Sequence, residues 1–133
     1  VQRLLDTKLL ETLATPGPLE DAVALCLEQG HLRRHAERVT ARLAAARTRT
    51  VRLARDAGCR FVTPPEGLFG WVDVGCDTEA LALALLDEGW LLAPGTLFHA
   101  TPRPGTLMRV NFGMAQDAKF WQPLQKARGE LRR

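Results

Sequence analysis

From His31 to about Ala57 the chain runs for 27 residues through helix formers, rich in Ala, Arg and Leu, with no Gly or Pro to interrupt them. At 1.5 Å per residue such a helix extends about 40 Å. Its apolar positions, Ala36, Val39, Leu43, Ala46, Val51, Leu53 and Ala54, are sparse and small. A chain of 133 residues has the length of one ordinary domain with a single core. A helix this long exceeds what that core needs, and a connector between two domains would explain it.

The same run is strongly basic. Arg33, Arg34, Arg38, Arg42, Arg47, Arg49, Arg52, Arg55 and Arg60 cluster within and just after it, opposed there only by Glu37 and Asp56. The whole chain is only mildly basic, with a net charge of +3 and a pI near 9.1. A basic cluster can touch nucleic acid or membrane, but on a helix its ordinary meaning is a solvated face.

The flanking segments differ in texture. Leu4, Leu5, Leu9, Leu10 and Leu13 recur at helical spacing, so residues 2–13 read as a helix. Thr15-Pro16-Gly17-Pro18 breaks it, and Pro18 suits the first turn of a second helix. Leu19, Ala22, Val23, Cys26 and Leu27 mark one face of that helix, which stops at Gly30. After Gly58, strands are expected over Cys59–Thr63 and Leu68–Val74 around Pro64-Pro65-Glu66-Gly67. Asp77 is placed to cap a helix running to Gly89. Short strands follow at Trp90–Ala93 and Thr106–Phe112, and Gln116–Arg133 reads as a closing helix with Phe120, Trp121 and Leu124 inward. The order α-α-α-β-β-α-β-β-α predicts an α+β fold: long N-terminal helices, then a small, mostly antiparallel sheet covered by helices on one face.

Composition excludes several classes. With 46% hydrophobic and 25% charged residues the chain is neither disordered nor low-complexity. Cys26, Cys59 and Cys76 form no CxxC and leave one over, which suits a reducing cytoplasm better than a disulfide framework. No apolar run approaches 18 residues and no signal peptide is visible, so neither a spanning helix nor export is expected. The opening Val1-Gln2-Arg3-Leu4-Leu5 lies inside an amphipathic pattern without an initiator Met, as in a piece of something longer.

Catalytic motifs are scarce. His31 and His35 have a helical metal spacing but no third ligand nearby, so surface histidines are expected and no metal site. There is no Gly-rich phosphate loop, GxSxG, HExxH or Cys/His arrangement. Asp73, Asp77 and Glu79 are explained by capping and solvation, and no catalytic residue is assigned. Arg109 stands out. Alternation puts Met108, Val110 and Phe112 on one face of its strand and Leu107, Arg109 and Asn111 on the other. Arg109 is then either a surface arginine that meets an internal acid such as Asp73 or Asp77, or a planar fork for a carboxylate from outside. Alternation alone leaves both open.

The ordered set "PPEGLFGWVDV", "EGWLLAPGTLFHATP" and "TLMRVNFG" resembles the C-terminal small domain of fold-type I, pyridoxal-phosphate-dependent aminotransferases. In that pattern a Pro/Gly turn, a strand with Phe and Trp, a helix, a strand ending Pro-Gly-x-x-Phe and a strand carrying Arg follow in order. Here they fall on Gly67, Phe69, Trp71, Gly89, Pro94, Gly95, Phe98 and Arg109. "GHLRRH" at residues 30–35 extends the likeness to MocR-type regulators of the GntR superfamily, which join a winged helix-turn-helix to an aminotransferase-like domain.

The resemblance implies that residues 1–57 are the end of a large domain with the interdomain helix, and 58–133 the small domain. It implies that Arg109 binds the carboxylate of an amino acid or related ligand, at a pyridoxal 5'-phosphate site completed elsewhere. DNA contact would belong to an N-terminal domain outside this chain, and a homodimer is expected. The alternative is the small domain of a class I/II aminotransferase. The only lysines, Lys8, Lys119 and Lys126, are not in the family's Schiff-base motif, and there is no Tyr. Covalent cofactor binding and transamination by this chain alone are therefore not expected.

Overall fold

A computed structural model describes residues 1–12 and 16–132. The expected positions Leu13, Thr15 and Arg133 lie outside them. The chain divides into two compact units, Val1–Thr40 and Ala41–Arg133. The first holds α1 (Gln2–Thr12), α2 (Gly17–Glu28) and the start of α3 (His31–Asp56). Pro18 sits in the first turn of α2, where its missing N–H costs nothing, and Gly30 (φ 66°) separates α2 from α3 in a left-handed conformation open to glycine. The apolar residues of α1 and α2 remain largely exposed, Leu5, Leu9, Leu19 and Val23 among them.

The second unit holds the core. Strands β1 (Arg60–Phe61), β2 (Phe69–Asp73), β3 (Ala93–Pro94) and β4 (Leu107–Asn111) form one antiparallel sheet in the order β1-β2-β4-β3. Helices α4 (Thr78–Leu86) and α5 (Ala118–Glu130) pack with the second half of α3 on one face of it. The fold is the α+β arrangement expected. Val72, Val74, Met108 and Val110 meet Ala54, Leu81, Leu85, Trp121 and Leu124 in a single buried cluster. Two hydrogen bonds tie the helices to the end of β4. The Thr50 hydroxyl donates to the Phe112 carbonyl at 3.1 Å, and Trp121 Nε1 donates to the Ala115 carbonyl at 2.7 Å. Asp77 caps α4 by accepting from the Glu79 amide at 2.8 Å, and Asp117 caps α5 in the same way through Lys119.

The elements are shorter than the apolar runs suggested. Of the run 59–63, Arg60–Phe61 pairs with β2 and Val62 still donates to the Trp71 carbonyl at 3.1 Å before Pro64 and Pro65 carry the chain off the sheet. Only Ala93–Pro94 of the run beginning at Trp90 pairs with β4. The Trp90 amide instead donates to the Leu85 carbonyl at 2.9 Å, and its ring meets Phe120 edge-on at 5.4 Å. Residues 90–92 are held by the helix layer, not by the sheet edge. Gly95–Phe98 forms a 3-10 helix that periodicity had not indicated.

Gly70 makes room for two rings of the sheet itself. A Cβ there would lie 2.6 Å from Phe61 Cε1 and 2.7 Å from Phe112 Cζ, two rings whose centroids are 5.8 Å apart. Gly70→Ala is expected to destabilise the chain by about 1–3 kcal/mol, as overpacking does. Urea unfolding checks this; a loss within error of zero would mean that the two rings separate freely.

Candidate functional site

Strand β4 is paired on both edges at Arg109, opposite Trp71 of β2 and Ala93 of β3. The alternation expected from sequence holds: Met108, Val110 and Phe112 are buried, whereas Leu107, Arg109 and Asn111 are half-buried on the other face. That face carries aromatic side chains. The Arg109 guanidinium carbon lies 4.4 Å from the Phe69 ring centroid and 4.6 Å from that of Phe98, over both rings. Trp71 meets Phe98 edge-on at 5.2 Å and 87°. Both ring contacts fall within the roughly 6 Å over which a ring quadrupole attracts a cation.

The Pro-Gly turn delivers Phe98 to this face. A Cβ on Gly95 would stand 2.6 Å from the Leu107 carbonyl oxygen, so only glycine lets the 3-10 helix begin this close to β4. The close approach at Gly95 is thus to this chain's own backbone. Phe69 and Phe98 appeared in the sequence only as members of an ordered pattern. Nothing in their spacing, 29 residues apart, linked them to one arginine.

Neither internal acid reaches Arg109. Asp73 pairs with Arg60 at 3.5 Å and accepts from the Gly75 amide at 3.0 Å. Burial alone would raise its carboxyl, but hydrogen bonds from Thr106, Gly75 and Arg60 outweigh that and hold it below the usual range. Asp77 is the α4 cap. Three arginines among the described residues are half-buried: Arg47, Arg109 and Arg128. Arg47 donates to the Gly67 carbonyl at 3.3 Å and Arg128 to the Cys59 sulfur at 3.3 Å. Among the described residues Arg109 has neither a carboxylate within 4.0 Å nor a hydrogen-bond acceptor. Its donors are uncommitted, and an anion arriving from outside is the group they can bind.

Other chemistry is absent among the described residues. They contain no cluster of His, Cys, Asp and Glu that could hold a metal. His31 accepts from Arg34 at Nδ1 (3.0 Å), so its Nε2 carries the proton and donates to Gln29 at 2.9 Å. Burial pushes the Cys59 thiol up, and the Arg128 guanidinium beside it opposes this only in part, which makes the thiol a poor nucleophile. Neither Lys119 nor Lys126 lines the cleft beside Arg109. No described helix is long and apolar enough to cross a membrane.

The ring contacts can be tested without any ligand. A double-mutant cycle of Phe98→Leu and Arg109→Leu, followed by urea unfolding, is expected to give a coupling of about 0.5–1 kcal/mol, the usual worth of such a pair near a surface. A coupling of zero would mean that the ring does not hold the guanidinium.

No family model matches the chain, and no curated protein does. Solved structures do. The chain is similar to the α-aminoadipate aminotransferase LysN from Thermus thermophilus, solved with N-(5'-phosphopyridoxyl)-L-leucine. The TM-score is 0.77 at 23% identity, over 98% of this chain and 35% of that one. It is also similar to a multiple substrate aminotransferase from Thermococcus profundus (TM-score 0.68, 20% identity, 80% of this chain and 28% of that one). Kynurenine aminotransferase from Pyrococcus horikoshii gives 0.66 at 21% identity, over 79% and 28%. The chain thus spans about a third of the length of the first of these proteins, 35%. At these identities the likeness is one of fold, and the fold is that of an aminotransferase-like small domain.

Proposed function

We propose that this chain is the carboxylate-binding subdomain of a MocR-type transcriptional regulator, with Arg109 gripping the carboxylate of an amino acid or a related effector. The observation that carries the reading is Arg109 itself: half-buried, flanked by Phe69 and Phe98, and without an acceptor among the described residues. A guanidinium in that state presents a planar edge that can form two parallel hydrogen bonds to a carboxylate and so fix the ligand's orientation. The aminotransferase-like fold supports the same reading, and "GHLRRH" at the start of α3 supports its regulator branch. DNA contact falls to a winged helix-turn-helix outside this chain, and effector binding shifts the population of a DNA-binding form.

Pyridoxal 5'-phosphate belongs to this proposal only through the longer protein. The chain has three lysines and no Tyr; none of the lysines falls in the family's Schiff-base motif, and Lys119 and Lys126 sit on α5, outside the lining of the Arg109 cleft. The residues here therefore do not fit a Schiff-base site. The aminotransferase activities of the solved relatives favour a second reading, the small domain of a class I/II aminotransferase, with Arg109 in the same role toward an amino-acid substrate. The reading frame upstream separates the two. A winged helix-turn-helix there makes the protein a regulator, and a cofactor-lysine domain without one makes it an aminotransferase.

Arg109→Ala in the full-length protein is expected to weaken amino-acid binding by about 2–4 kcal/mol, the cost of losing a charge-assisted bidentate pair. Calorimetry reads this directly, and an unchanged affinity would remove the carboxylate role. The bare apolar residues of α1 and α2 support self-association. Sedimentation is expected to find a homodimer of this chain, against which a monomer at high micromolar concentration would count.

A further inference from the structure

The departure of residues 90–92 from the sheet leaves a space. Strand β3 stops at Ala93, opposite Arg109, and the preceding residues turn toward the helices through the Trp90–Leu85 and Trp90–Phe120 contacts. Between that segment and the end of β4 lies a cleft of about 470 Å³. Its walls are mainly Phe69, Trp90, Leu91, Leu92, Met114 and Phe120, with Asn111 polar, and Arg109 is the one charged residue among the described residues that line it. One backbone donor also faces it. The Phe112 amide donates to Leu68 on the β2 side, so by strand alternation the Asn111 amide points to the opposite edge, where β3 has ended.

Resting on the carboxylate role of Arg109, we infer that this cleft is the subsite for the ligand's side chain and that it takes an apolar or aromatic one. The volume is within the range of small-molecule sites, which are mainly apolar with a few placed polar groups. A ligand whose carboxylate meets Arg109 projects its remainder along walls made of aromatic and aliphatic carbon. A dicarboxylic ligand would bring a second negative charge to a cleft whose single cation is already engaged, with only the neutral Asn111 to meet it, so the second carboxylate gains little. Leu91 and Met114 hold the outer rim and are 90% and 77% exposed, so substituting them leaves the core intact.

The test is an NMR titration of the full 133-residue chain with acetate, succinate and 3-phenylpropionate. On the ordinary worth of burying apolar carbon, 3-phenylpropionate is expected to bind about tenfold more tightly than acetate, with succinate within about threefold of acetate. Leu91→Ser and Met114→Ser are each expected to narrow the ratio between 3-phenylpropionate and acetate. Binding that depends on Arg109 but shows no preference for 3-phenylpropionate would overturn the subsite and leave the carboxylate role standing. So would a preference that survives both rim substitutions. Binding of none of the three, or binding that Arg109→Ala leaves unchanged, would remove the carboxylate role itself and the subsite with it.

Discussion

Strand β4 is hydrogen-bonded on both edges, and its register decides the character of both faces of the sheet. A slip of one residue would turn Met108 and Val110 out to water and drive Arg109 into a core that offers no counter-charge. Burying an unpaired guanidinium costs several kcal/mol, while each of those apolar side chains gains about 1.5–3 kcal/mol by burial. The two penalties act together, so the register is strongly specified. The same constraint that builds the core therefore lifts Arg109 to the opposite face, and the site follows from the packing.

The contacts around β4 hold this arrangement from several directions. Thr50 reaches from α3 to the Phe112 carbonyl, Trp121 from α5 to the Ala115 carbonyl, and Gly70 admits Phe61 and Phe112 where no larger residue fits. Each lies within a few residues of the strand's end, where the sheet would otherwise fray. At the other end of β4, opposite Leu107, Asp73 is engaged by Arg60, Gly75 and Thr106. Because its folded carboxyl is held low, its small contribution to stability is present above the unfolded carboxylate range. That contribution is lost as pH falls through the lower folded value. Arg109 is thus kept apart from Asp73 and Asp77, since both have other work.

Much of this was legible from the residues, and the parts that were not have definite causes. The run 31–57 became a helix because nothing in it opposes one, and alternation along 107–112 named the buried and outward residues correctly. The cap at Asp77 followed from a side chain and an amide two residues apart. Strand ends were less legible, because they depend on partners distant in the chain. Trp90 and Leu92 suit a strand as well as a helix-layer contact, and Phe120, 30 residues later, decides between them. The site was readable only in its arginine. Whether Asp73 or Phe98 would stand beside it is a matter of register and of one close Gly95 approach, neither of which is a local property.

The choice of rings over acids has a chemical consequence. A guanidinium carries five N–H donors, and a carboxylate partner stabilises its charge by occupying some of them. An aromatic face stabilises the same charge through its quadrupole and accepts no conventional hydrogen bond. Arg47 and Arg128 illustrate the first kind of company, their donors directed at the Gly67 carbonyl and the Cys59 sulfur. Arg109 has the second kind. Phe69 and Phe98 lower the cost of leaving the cation half-buried, and its donors stay available to water and to whatever anion displaces that water. A carboxylate of this chain in the same place would have been the more stabilising neighbour, and it would have closed the site.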